Sequence, residues 1–72
     1  MQLRFVAAVP PTHRGGGVEQ LVMETGPDAG SWFLFGHATL QEPCLWDSWF
    51  PTREEAMREA SERWGVSAHD WR

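Results

Sequence analysis

Residues 51–66 read Pro51-Thr52-Arg53-Glu54-Glu55-Ala56-Met57-Arg58-Glu59-Ala60-Ser61-Glu62-Arg63-Trp64-Gly65-Val66. Their spacing predicts one amphipathic helix. Ala56, Met57, Ala60 and Trp64 recur at helical intervals and form a single apolar stripe. Thr52 is a good N-cap, and Glu55 stands three residues later in the arrangement of a capping box. Glu54 and Glu55 lie at the positive end of the helix dipole and Arg63 at the negative end. Glu54, Arg58 and Glu62 are spaced as an i,i+4 ladder, with Glu59 and Arg63 as a further pair. Gly65 is placed as the residue that ends the helix, and Val66 as the hydrophobic contact of a Schellman motif.

Everything N-terminal to this helix reads as short strands separated by breakers. Residues 2–9 put Leu3, Phe5, Ala7 and Val9 on one face, and Pro10-Pro11 ends the run because proline cannot donate to a ladder. A glycine-rich loop, Thr12 to Gly17, leads to a second strand over 18–25, in which Leu21 and Met23 share a face opposite Val22. Gly26-Pro27-Asp28-Ala29-Gly30 is a strong turn signal, so the next run, 31–40, pairs with the second strand as a hairpin. Trp32-Phe33-Leu34-Phe35 is apolar on both parities, which predicts a central strand covered on both sides. Gln41-Glu42-Pro43 breaks the chain again, and Cys44 to Phe50 alternates as a fourth strand. After the helix, Ser67-Ala68-His69-Asp70 repeats the capping pattern and predicts one helical turn, with Trp71 folding back onto the body. The expected fold class is therefore α+β: one domain over residues 1–72, a small antiparallel meander of three to four strands with one C-terminal helix packed on one face, ββββα.

A chain of 72 residues has room for one modest core. Its five Trp and four Phe must supply much of the packing area. The single cysteine, Cys44, cannot form an internal disulfide, which fits a reducing compartment. There is no apolar run long enough to span a membrane and no signal-peptide pattern at Met1–Phe5, so the expected location is cytoplasmic. The formal charge is −4, and every basic residue is arginine. An acidic surface works against non-specific nucleic-acid binding. Without lysine there is no Schiff-base nucleophile and no P-loop lysine, and without tyrosine no phenolic acid–base group.

Three constellations bear on function. His13, His37, Cys44 and His69 include no pair at the short spacings of structural zinc sites, so no metal or other cofactor is expected. His37, Cys44 and Asp47 are the residues from which a small enzyme or metalloprotein site could be drawn, but no local motif supports them. Cys44 sits among apolar residues, where a thiol ordinarily packs as a small hydrophobe. The third constellation is the aromatic surplus. One helix on one sheet offers a single interior, and Trp32, Phe33, Phe35, Trp46, Trp49, Trp64 and Trp71 cannot all point into it. Exposed aromatic surface marks partner contacts. The favoured reading is thus a non-enzymatic module binding an unidentified protein, or itself, through Trp32, Phe35, Trp46 and Trp49. A weak single-stranded nucleic-acid binder using the same face is the alternative.

Leu45-Trp46 resembles part of the Ser-Leu-Trp-Pro motif of the MbtH-like proteins, small partners of peptide-synthetase adenylation domains. Cys44 and Asp47 flank the pair here and that family's C-terminal Trp-Thr-Asp is absent, so the chain is not assigned to the family.

Overall fold

The computed structural model describes residues 2–72. Four strands, β1 (Arg4–Ala8), β2 (Gln20–Thr25), β3 (Trp32–His37) and β4 (Trp46–Phe50), form one antiparallel sheet in the order β1-β2-β3-β4, and the helix α1 (Arg53–Trp64) follows. Short 3₁₀ turns occupy Pro11–His13 and Ala68–Asp70. The architecture is the expected ββββα meander. The strands are shorter than the hydrophobic runs suggest; Leu3, for example, lies outside β1 and is exposed.

The sheet's register explains which side chains become core. Phe5–Met23–Leu34–Ser48 and Ala7–Leu21–Gly36–Trp46 form two rows across one face. Trp32, paired with Thr25 and Phe50, continues that face. Helix α1 lays Ala56, Ala60 and Trp64 against it, and Leu21, Met23 and Leu34 end fully buried. In the middle of the helix stripe Ala56 and Ala60 are fully buried and Met57 packs half-buried beside them. Val9, Val18 and Val66 close the rest of the core from the loops.

The opposite face carries no helix. The expectation that β3 would be covered on both sides is corrected here: Phe33 and Phe35 remain only half-buried, because a single helix can shield a single face. Val22 is 1% exposed even so, as a residue of the second strand walled in by its cross-strand neighbours Val6 and Phe35.

Helix termini follow the sequence closely. Thr52 is extended, and its hydroxyl accepts the Glu55 N–H at 3.2 Å. This is one half of the anticipated capping box; no reciprocal bond from Glu55 to Thr52 is among the hydrogen bonds of the described residues. Gly65 adopts the left-handed conformation (φ 67°, ψ 20°) that a Cβ disfavours. Its N–H bonds Ser61 at 3.1 Å and the Val66 N–H reaches Ala60 at 3.0 Å, a closure with a wider second loop than the Schellman pattern. Val66 is nevertheless buried as that motif requires. The Glu54–Arg58–Glu62 ladder does not close into ion pairs, consistent with the small gain available to exposed charges; Arg63–Glu59 does, at 3.5 Å.

The tail doubles back. Asp70 accepts from the Ser67 N–H and the Ser67 hydroxyl, each at 2.9 Å. Trp71 packs half-buried against the core, and Arg72 exchanges both backbone hydrogen bonds with Val6 at 2.9 Å. Arg72 thereby occupies part of the outer edge of β1. No helix among the described residues is long and apolar enough to cross a membrane.

Two outcomes follow from these termini. Thr52→Ala removes the acceptor for the Glu55 N–H and is expected to lower stability by about 0.5–2 kcal/mol, read by urea denaturation. A second outcome concerns the tail turn. The Ser67 backbone hydrogen bond, then its hydroxyl, hold the Asp70 carboxyl below its ordinary pKa. A depressed carboxylate stabilises the folded tail fully above the ordinary carboxylate pKa, and that contribution is lost as pH falls through the lower folded value. The Ser67 amide resonance should therefore move on acidification below the usual aspartate range, and Asp70→Asn should abolish that movement.

Candidate functional site

Strand alternation sorts the aromatic residues into two groups. Trp32 and Phe35 are three residues apart, as are Trp46 and Trp49, and an odd spacing places each pair on opposite faces. The four residues expected to form one partner surface therefore divide. Trp32 is core, 7% exposed, beside Phe5 (ring centroids 6.2 Å apart) and beneath the Arg53 guanidinium, 5.8 Å from its ring. Trp46 also faces the helix. It stacks on Trp64 at 5.7 Å with the planes 22° apart. Both are removed from the candidate surface, because the helix covers the face on which they lie.

Phe35 and Trp49 remain, and Phe33 joins them. The open face reads in rows: Arg4–Glu24–Phe33–Trp49 and Val6–Val22–Phe35–Asp47. Phe33 and Phe35 lie 5.9 Å apart, tilted by 33°. Trp49, directly across from Phe33, is 48% exposed. Charge on this face is partly compensated. Glu24 accepts from Gln2 Nε2 at 2.8 Å and pairs with Arg4 at 3.6 Å. A shallow concavity beside the two Phe rings is lined by Gln2, Glu24, Thr25 and Pro27. Phe33 shares the parity of Phe35 and so belongs to the same face; the four expected residues combine both parities and so cross the sheet. Leu45, more than half exposed beyond the start of β4, was not anticipated.

His37, Cys44 and Asp47 do not assemble into a catalytic set. His37 and Asp47 share the open face, but His37 Nδ1 lies 3.2 Å from the Glu42 carbonyl oxygen, and no hydrogen bond joins the three. Cys44 is exposed, which corrects the expectation of a packed thiol: it lies in the loop ahead of β4, outside the ladder that would turn it inward. Among the described residues no group of three His, Cys, Asp or Glu could hold a metal ion.

A second recess opens at the C-terminal end of α1, between His13, Gly15, Gly16, Trp46, Arg63 and Trp64. The Arg63 guanidinium lies 5.3 Å from the Trp64 ring and pairs with Glu59. Trp64 Nε1 is buried without a hydrogen-bond partner, and so is Trp71 Nε1. Since Trp64 Nε1 is itself shielded, it offers the recess no donor.

Comparison with protein-family models, with curated proteins and with solved structures gives no match for this chain.

The seat of Trp46 yields a sharp expectation. A Cβ at Gly36 would clash with the Trp46 indole, closer to its Cε2, Cζ2 and Nε1 than van der Waals contact allows. Gly36→Ala should displace that ring from both Gly36 and Trp64 and cost about 1–3 kcal/mol, as overpacking does. The check is the thermal midpoint together with near-ultraviolet circular dichroism, which should lose the stacked-indole signal.

Proposed function

We propose that this chain is a non-enzymatic protein-binding module whose contact surface is the open sheet face, with Phe33, Phe35 and Trp49 as its anchors. The observation that carries this reading is the arrangement of those three rings. They lie in register on the one face no helix covers, and although Phe35 helps to wall in Val22, Phe33 and Phe35 stay only half-buried and Trp49 exposed. Aromatic rings held by a rigid sheet lose little conformational freedom on contact and desolvate large areas, which is why they dominate binding energetics. Glu24 and Asp47 border the rings, and the chain is acidic overall. That charge balance favours a protein over a phosphate backbone as the ligand.

The test is a double variant, Phe33→Ala with Phe35→Ala, immobilised beside the native chain and exposed to lysate of the source cells. A partner retained by the native chain is expected to bind the variant at least ~30-fold more weakly, equivalent to about 2 kcal/mol. Circular dichroism should remain unchanged, since both rings stand outside the main core. Equal retention by both proteins would refute the surface, and an unfolded variant would show that the rings hold the sheet rather than a partner.

A further inference from the structure

The geometry points to a second, separate contact: β4 is the seam of a symmetric dimer, in which the β4 strands of two copies of this chain pair antiparallel about Ser48. The inference goes beyond the open-face reading, because it uses the strand's edge and not the rings of the face.

Backbone alternation determines which residues of β4 point outward. Val6 both donates to and accepts from Arg72, so its polar groups face away from β2. The hydrogen-bonded pairs between β1 and β2 are then Phe5–Met23 and Ala7–Leu21, and β2 turns Val22 and Glu24 toward β3. Their partners Phe35 and Phe33 face back, which leaves Trp32, Leu34 and Gly36 to bond Phe50, Ser48 and Trp46 of β4. The Leu45 N–H bonded to the Gly36 carbonyl at 2.7 Å agrees with that phase. Asp47 and Trp49 accordingly present their N–H and C=O groups to the outside. Among the described residues no backbone hydrogen bond reaches this edge, whereas the β1 edge is partly taken by Arg72.

The edge is self-complementary in one register. A two-fold axis through Ser48 sets Asp47 opposite Trp49 of the second copy, and Trp49 opposite the other Asp47, so all four outward groups of each strand find partners. Centring the axis on Asp47 would set two carboxylates directly opposite each other. Centring it on Trp49 would set Asp47 opposite Pro51, which has no N–H to give. In the Ser48 register the ladder also ends cleanly. Its next pair would be Leu45 with Pro51, and neither has a free N–H, since Leu45 has already donated to Gly36. On the helix face, Trp46 comes beside Phe50 of the second copy, and Ser48, small and exposed, leaves room at the axis. An unrelated extended segment would satisfy the backbone equally well but would have no reason to match these ends.

The experiment is sedimentation equilibrium of the full chain over a wide concentration range, with two variants. Asp47→Pro removes the outward donor, together with the side-chain carboxylate, and leaves the bonds to β3 in place; an outward-facing N–H on an edge strand is a position where proline is tolerated. Ser48→Cys, in a Cys44→Ser background, tests the axis. Residues at a non-hydrogen-bonded antiparallel pair lie about 4.5 Å apart at Cα, within disulfide reach. The native chain is expected to approach twice the mass of one chain. Asp47→Pro should stay at one mass with unchanged circular dichroism, and Ser48→Cys should oxidise to a covalent dimer far faster than a Ser61→Cys control on the helix. A native chain that remains monomeric throughout overturns the proposal. So does a dimer indifferent to Asp47→Pro, or a Ser48→Cys that cross-links no faster than the control. If Asp47→Pro unfolds, the cross-linking result decides alone. The Phe33→Ala, Phe35→Ala variant should still dimerise, so failure of the open-face reading leaves this one standing, and the reverse.

Discussion

The ring of Trp46 rests on Gly36 and stacks against Trp64, and this contact sets the relation of helix to sheet. It requires three things at once: a glycine near the end of β3, a tryptophan directly across from it on β4, and a tryptophan in the last turn of α1. Gly36 costs β3 some strand stability, since glycine loses the most freedom on ordering. The ring above it fills the missing side-chain volume. At the other end of α1, Arg53 lies between Phe5 and Trp32, 5.7 and 5.8 Å from their ring centroids. The helix is thus held near both ends by aromatic contacts, while Ala56, Met57 and Ala60 pack its middle against the core.

Because that arrangement commits Trp32, Trp46 and Trp64 to one face, it leaves the other face to Phe33, Phe35 and Trp49. A small domain cannot cover both sides of a four-stranded sheet with one helix of twelve residues. The uncovered face keeps its rings because strand alternation, once phased by the core, gives them nowhere else to go. The tail makes a related choice at the sheet's edge. Arg72 pairs with Val6 and so shields part of β1, and the corresponding groups of β4 stay open.

The candidate surface was partly legible from residues alone. Phe35 and Trp49 belong to it, and the three-residue spacing separates Phe35 from Trp32 and Trp49 from Trp46 by strand parity. Aromatic content alone says which residues are large and apolar but not which parity faces the core. Two tryptophans were placed on a surface from which the Leu34 and Leu21 rows exclude them. The phase of β4 was harder to read. Trp46 and Trp49 are both large and apolar, and composition does not say which of two such residues turns inward. The answer depends on Gly36 lying across from Trp46, a long-range pairing.

The sequence by itself determined the elements: the helix with its Thr52 cap and Gly65 stop, the breakers between strands, the turn at Gly26–Gly30 and the return of Trp71. These are local matters, governed by backbone preferences and hydrogen bonds within a few residues. Tertiary structure alone decided which sheet face the helix covers, which tryptophans became core, and that Cys44 lies exposed. Those outcomes depend on register and on volume matched across strands, and neither is encoded within any one segment.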